Sequence, residues 1–161
     1  MNDKLEIIEV NGYDYKIQKF ISNSMKSRFK TADEMQKKEM QYVLLMLNKD
    51  IIGVTAISNK PTYALNYNEE IISYRDKLLN NYSYTEALWV SEEHRNKGYG
   101  KILLSKLYQL WKLTNNKYLL REVRETSTLG KSDYYNNLIK LGKFTVEETG
   151  RKYKAYLKIK E

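Results

Sequence analysis

One stretch of this 161-residue chain combines residue types whose spacing can do chemistry: Leu88-Trp89-Val90-Ser91-Glu92-Glu93-His94-Arg95-Asn96-Lys97-Gly98-Tyr99-Gly100-Lys101. An apolar run ends at Val90, and a short basic turn punctuated by two glycines opens into a helical pattern. The first N–H groups of a helix lack intrahelical partners, and the macrodipole adds partial positive charge at that end. Gly98 and Gly100 remove side chains, so a phosphate oxygen can approach the backbone and the turn can adopt positive φ. Arg95, Lys97 and Lys101 add full charges at the same point. The chemistry this predicts is anion binding, with phosphate the natural ligand.

Two common phosphate loops do not fit. A Walker loop needs Ser or Thr after Gly-Lys to hold magnesium, and Ile102 follows Gly100-Lys101. A dinucleotide fingerprint needs a third small residue where Leu103 stands. Other chemistries are excluded by inventory. The chain has no Cys and a single histidine, His94, so no thiolate site, cysteine nucleophile or histidine cluster for a metal is expected. No nucleophile elbow accompanies His94.

The elements that must position this loop follow from periodicity. Strands are predicted at Glu6–Val10, Tyr42–Leu47, Ile51–Ile57, Tyr84–Val90 and Tyr118–Val123, with a hairpin turn at Asn48-Lys49-Asp50. A helix opens at Gly98, with Tyr99, Leu103, Leu107, Leu110 and Trp111 on one face and Lys101, Ser105, Gln109 and Lys112 on the other. Asn115-Asn116 ends it. Asp14 caps a predicted helix carrying Ile17, Phe20, Ile21, Met25 and Phe29, and Thr31-Ala-Asp-Glu34 opens a second that runs to about Met40. Further helices are predicted near 67–80 and over Ser132–Leu141. Phe144–Glu148 and Tyr153–Ile159 close the chain as a hairpin around Thr149-Gly150. The order β-α-α-β-β-(α)-β-α-β-α-β-β describes a mixed α/β (α+β) domain spanning residues 1–161, with no linker or repeat.

Val90-Ser-Glu-Glu-His-Arg95-Asn-Lys-Gly98-Tyr-Gly100, with its flanking strand and helix, resembles the acetyl-CoA pyrophosphate loop of the GCN5-related N-acetyltransferase (GNAT) family. The resemblance runs over about 30 residues, from Glu86 to Thr114, and the element order is similar to the family's throughout. It implies a central, mostly antiparallel sheet flanked by helices and splayed between strands near 84–90 and 118–123. It implies that Leu88, Trp89 and Val90 offer backbone groups to the pantetheine arm. Arg95, Asn96, Lys97, Gly98, Tyr99, Gly100 and Lys101 would hold the pyrophosphate. The implied reaction is direct attack of a primary amine on acetyl-CoA in a ternary complex, without an acyl-enzyme and without a metal. Glu86 is the candidate general base, with Tyr84 two residues earlier on the same side of the strand. Tyr135, and Tyr134 beside it, are candidates to protonate the leaving thiolate. The family's usual Tyr-x-x-x-Gly-Phe places Leu138 where the Tyr belongs, counting back from Gly142.

Composition sets the remaining bounds. Lys and Arg number 28 against 20 Asp and Glu, a formal charge of +8. Residues 1–80 carry 12 basic and 11 acidic side chains, whereas residues 81–161 carry 16 and 9. The second half therefore suits an anionic partner: the cofactor, an acidic surface, or an RNA-linked amine such as an aminoacyl-tRNA. No nucleic-acid motif is present, so a non-catalytic acetyl-CoA- or nucleic-acid-binding module is the alternative reading. Arg121, Arg124, Lys152 and Lys154 could contact the cofactor's 3′-phosphate, a nucleic acid or water, and as a charge run they read as a solvated face rather than as site residues. The acceptor is a small-molecule or peptide amine, and a homodimer is an open expectation. Without an apolar run of about 20 residues or a secretory leader pattern, the expected location is cytoplasmic, with no membrane association.

Overall fold

The computed structural model describes residues 3–11, 40–59, 81–127, 134–146 and 150–160. Seven strands run β1 Leu5–Asn11, β2 Met40–Leu47, β3 Asp50–Ser58, β4 Tyr82–Val90, β5 Tyr118–Arg124, β6 Ile139–Val146 and β7 Arg151–Ile159, with helix α1 at Tyr99–Lys112. Strand order is β1-β2-β3-β4-β5-β7-β6. The β1–β2, β2–β3, β5–β7 and β6–β7 pairs are antiparallel and β4–β5 is parallel, which gives the mixed, mostly antiparallel sheet expected. The chain forms two compact units, residues 1–59 with 85–114 and residues 60–84 with 115–161, so β4 contributes to both.

In the first unit, β2 and β3 are buried on both faces, which explains their continuous apolar runs. One face packs Met40, Tyr42, Leu44, Val54 and Ala56 with Trp89. The other packs Val43, Leu45 and Ile52 against Leu103 and Leu110 of α1, with Leu88, Val90 and Tyr99 at the margin. Each fully buried leucine of α1 contributes about 1.5–3 kcal/mol. The β2–β3 turn holds Asn48 and Lys49 at φ 50° and 74°, the mirror-type turn that matches strand twist. Asn48 also ties down the start of β1, its Oδ1 accepting from the Lys4 amide at 2.9 Å. Gly53 is where α1 comes closest to the sheet. A Cβ there would sit 2.9 Å from Leu103 Cδ1 and 3.3 Å from the Trp89 carbonyl oxygen.

In the second unit, β5 pairs with β7 over all seven of its residues but with β4 only through Tyr82–Tyr84 against Tyr118–Leu120. Tyr82, Tyr84, Tyr118, Leu120, Leu141, Ala155 and Leu157 form its core. Asn81 anchors the chain reversal, its Oδ1 accepting from the Lys117 amide at 2.8 Å and its carbonyl from the Tyr118 amide at 3.2 Å.

The predicted secondary-structure elements differ from the structure in two described places. Met40, the expected end of a helix, is the buried first residue of β2. The helix expected over Ser132–Leu141 is replaced, in its described part, by a turn at residues 134–138 and the start of β6 at Ile139. The Leu138 amide donates to the Tyr135 carbonyl at 3.0 Å, closing a turn through Asn136 and Asn137. β6 then pairs with β7 through a β-bulge between Lys140 and Gly142. The predicted helices at 14–29, 31–39 and 67–80 lie outside the described residues.

Candidate anion site at the start of helix α1

Strand β4 delivers the chain to Val90, and three contacts then shape the loop. The Ser91 amide donates to the Ile52 carbonyl at 2.8 Å, holding the strand end against β3. Glu92–His94 form one 3-10 turn, closed by the His94 amide on the Ser91 carbonyl at 2.9 Å. Ser91 Oγ and His94 Nδ1 lie 2.5 Å apart, so the lone histidine staples the turn. Arg95 turns back as well: its Nε donates to the Val90 carbonyl at 2.9 Å. That bond spans the 3-10 turn and sets how far the loop stands from the strand.

Beyond Arg95 the backbone turns left-handed twice. Asn96 has φ 63° and Gly98 has φ 84°. Asn tolerates this conformation and Gly adopts it without strain. Gly98 is the N-cap of α1 and supplies no side-chain cap. The first intrahelical bond runs from the Ile102 amide to the Gly98 carbonyl at 3.2 Å. Among the described residues, the amides of Lys97, Gly98, Tyr99 and Gly100 show no hydrogen-bond acceptor. A Cβ built on Gly98 meets nothing within 4 Å. Gly100 lies inside the first turn of α1, so the positive φ expected of the glycines belongs to Gly98 alone of the two.

Arg95, Lys97 and Lys101 are exposed around this point, with Glu92 and Glu93 exposed on the preceding turn. The loop thus brings Arg95, Asn96, Lys97, Gly98, Tyr99, Gly100 and Lys101 together at one helix end. Leu88, Trp89 and Val90 are half-buried in β4 and lead into it. The arrangement can bind an anion through convergent backbone donors backed by the helix dipole. Such donors also suit a diphosphate sterically, because nothing projects from Gly98. Sequence reasoning placed the amides but missed the roles of Ser91, His94 and Arg95 in bracing them. Ser91 and His94 stand three apart across a turn, and that spacing was the available signal.

The catalytic candidates belong to other elements. Glu86 lies in β4, and its side chain is outside the described part of the structure. Tyr84 is buried in the core of the second unit. Tyr135 is 1% exposed, stacked on Tyr156 with ring centroids 4.9 Å apart, and edge-on to the half-buried Tyr134 at 5.0 Å. The Tyr135 hydroxyl accepts from Arg121 Nε at 3.2 Å. Arg121 is itself buried, unlike the solvated residue expected from sequence. Burial pushes the Tyr156 phenol above its ordinary value, with Tyr135 adding to the rise. No group of three or more His, Cys, Asp or Glu able to hold a metal occurs among the described residues.

Comparisons with known proteins agree with this geometry. The sequence profile of the acetyltransferase (GNAT) family matches residues 13–128. No curated protein matches the chain by sequence. Among solved structures, Arabidopsis thaliana NAA60 in complex with acetyl-CoA is similar at 9% identity, covering 97% of this chain and 98% of that one, with a TM-score of 0.65. An N-acetyltransferase from Staphylococcus aureus Mu50 is similar at 11% identity, covering 99% of each chain, with a TM-score of 0.62. The IAA acetyltransferase from Bacillus cereus ATCC 14579 is similar at 11% identity, covering 98% of this chain and 100% of that one, with a TM-score of 0.60.

Proposed function

The chain belongs to the GNAT acetyltransferase family, and from that premise we propose that it transfers an acetyl group from acetyl-CoA to a primary amine. The observation that carries this reading is the row of amides from Lys97 to Gly100 at the start of α1 that have no acceptor among the described residues, with Gly98 at φ 84°. Acetyl-CoA brings the diphosphate those amides suit, together with an activated thioester. In this reading the amides from Asn96 to Lys101 hold the diphosphate, and Arg95, Lys97 and Lys101 supply charge. Backbone groups of Leu88, Trp89 and Val90 hold the pantetheine arm. An N–H at that strand end polarises the thioester carbonyl, an effect worth about 3–4 kcal/mol in comparable oxyanion sites.

Glu86 serves as general base, removing a proton from the ammonium form of the acceptor directly or through water. The uncharged amine then attacks the thioester carbonyl, the C–S bond breaks, the thiolate takes a proton from Tyr135 or Tyr134, and the proton shed by the new amide nitrogen restores that phenol through solvent. A phenol that accepts from a guanidinium, as Tyr135 does from Arg121, keeps its own proton to donate. No metal is invoked, and the protein works in the cytoplasm on a small-molecule or peptide amine.

The decisive experiment incubates the protein with acetyl-CoA and a panel of polyamines, aminoglycosides and peptide amines, reading free thiol and the mass of each acceptor. An acetyl gain on one class of amine supports the proposal; thiol release from none refutes it. In the same assay Glu86→Gln is expected to lower kcat at least tenfold with acetyl-CoA affinity unchanged, and an unchanged kcat removes Glu86 as base.

A further inference from the structure

Strand β1 stands at the edge of the sheet, with β2 as its one neighbour. The Asn48 amide donates to the Lys4 carbonyl at 2.9 Å, and the Lys4 amide turns to the Asn48 side chain, so the main chain of Lys4 faces β2. Hydrogen-bonded and non-hydrogen-bonded pairs alternate along an antiparallel ladder. The register of Leu5 on Leu47, Ile7 on Leu45 and Glu9 on Val43 therefore aims the N–H and C=O groups of Leu5, Ile7 and Glu9 away from β2. No described strand or loop meets these groups on the outer side.

Edge strands are ordinarily protected by proline, by a bulge or by unmatched charge. β1 has none of these. Leu5-Glu-Ile-Ile-Glu-Val-Asn11 lacks proline, and its ladder to β2 is regular. Its two carboxylates are matched within the chain, Glu6 by Lys4 Nζ at 3.7 Å and Glu9 by Lys106 Nζ at 2.7 Å. Leu5, Ile7 and Ile8 are 42%, 44% and 38% exposed, a cluster on one short strand. Leu113 and Ile159, the other exposed large apolar side chains among the described residues, lie apart on separate elements. On the α1 side, an open groove of about 440 Å³ runs between Ile7 and the α1 residues Ile102, Ser105 and Gln109.

We propose that β1 docks β1 of a second copy of this chain, antiparallel, so that the sheet continues across a two-fold axis. Such pairing requires a strand compatible with its own reverse, and β1 is one. An axis at Ile7 sets Ile7 against itself, Leu5 against Glu9 and Glu6 against Ile8. An axis at Ile8 sets Ile8 against itself, Ile7 against Glu9 and Glu6 against Val10. Neither puts like charges opposite, and both pair the outward groups of one copy with those of the other. An axis at Glu6 or Glu9 would set two carboxylates against each other, which costs stability. The register is thereby narrowed to the apolar centre of the strand. The two-fold keeps odd-numbered side chains on one face, so Leu5 or Ile7 of the second copy covers the groove beside Ile102. With Glu6 and Glu9 already matched at home, the seam carries no free charge to repel a copy. The pairing does not depend on acetyl transfer.

The test is sedimentation equilibrium of the full-length protein from about 1 to about 200 µM. A reversible dimer with a Kd of about 10–100 µM is expected, as suits a small interface. Ile7→Pro removes an N–H that β2 does not use, so the ladder to β2 stands while the seam is blocked. It should weaken dimerisation at least tenfold. Ile7→Lys, which charges a side chain already exposed, should do the same with an unchanged circular dichroism spectrum. Another measurement needs no variant: amide hydrogen exchange in the wild-type protein. The Leu5, Ile7 and Glu9 amides should exchange freely at about 1 µM and at least tenfold more slowly at about 200 µM, whereas those of Glu6 and Ile8 stay as they are. Since the chain has no Cys, Ile7→Cys and Ile8→Cys read the register. Directly opposed Cα atoms lie about 4.5–5.5 Å apart, within disulfide reach, and one of the two variants should oxidise to a covalent dimer. Four results would each overturn the proposal: a monomer at the highest concentration, a dimer that both Ile7 variants leave intact, outward amides already slow at the lowest concentration, or oxidation of neither cysteine variant.

Discussion

Two parts of this chain gather positive charge by different physics. At the start of α1, Arg95, Lys97 and Lys101 surround a fixed row of backbone amides, so direction comes from the main chain and charge from the side chains. On the β5-β7-β6 face the donors are all side chains, carried on strands two residues apart. The first arrangement can recognise the shape of one diphosphate, because amides at a helix end cannot move away. The second is a set of side-chain charges whose reach is set by salt, about 8–10 Å at ordinary ionic strength. Equal numbers of lysines would thus predict unequal specificity.

The comparison breaks most visibly at Gly98. A Gly98→Glu substitution puts a carboxylate before the amides and strains a residue at φ 84°. Acetyl-CoA affinity should fall at least a hundredfold, about 2.7 kcal/mol, and the acetyl-CoA-induced rise in Tm should vanish. An intact rise would locate the cofactor elsewhere. Gly53→Ala acts at longer range, forcing Leu103 away from a Cβ only 2.9 Å distant. A loss of about 1–3 kcal/mol in urea denaturation is expected, together with weaker acetyl-CoA binding as the start of α1 shifts.

Tyr135→Phe sharpens the other side. Removing the acceptor of the Arg121 bond leaves a buried guanidinium without its described partner and should cost about 1–3 kcal/mol. If Tyr135 is also the thiolate acid, kcat falls with KM for acetyl-CoA unchanged; a stability loss alone makes it structural. The smallest effect concerns Glu125. Its carboxyl is held below the ordinary value of 4.5 by Lys143, so the pair contributes stability above that pH and loses it as pH falls through the folded-state value. Lys143→Gln should therefore lower Tm slightly at pH 7, and the gap to wild type should close in acid. A gap that persists at low pH would deny the pair its electrostatic role.

Legibility in the sequence tracked how local each interaction is. Gly98 at the head of an amphipathic run announces a left-handed N-cap and a helix, and Asn48-Lys49 between two apolar runs announces a mirror-type turn. Both depend on a few neighbouring residues, and both are present. The reading of Ser132–Leu141 as a helix failed because residues 134–138 close a turn and β6 begins at Ile139, held by pairing with the distant β7. Arg121 looked like a surface cation because its neighbours Glu122 and Arg124 are charged. Its burial comes from Tyr135, 14 positions away, and from β7 beyond.

The sequence by itself determined the Gly98 turn and the start of α1, because φ preferences, helix-end amides and nearby charges act within one short segment. Tertiary structure decided which lysines share a face, which arginine is buried and which phenol receives its hydrogen bond. Those outcomes depend on strand register, and register is set by pairing between distant segments, where a single inserted residue exchanges one face of a strand for the other.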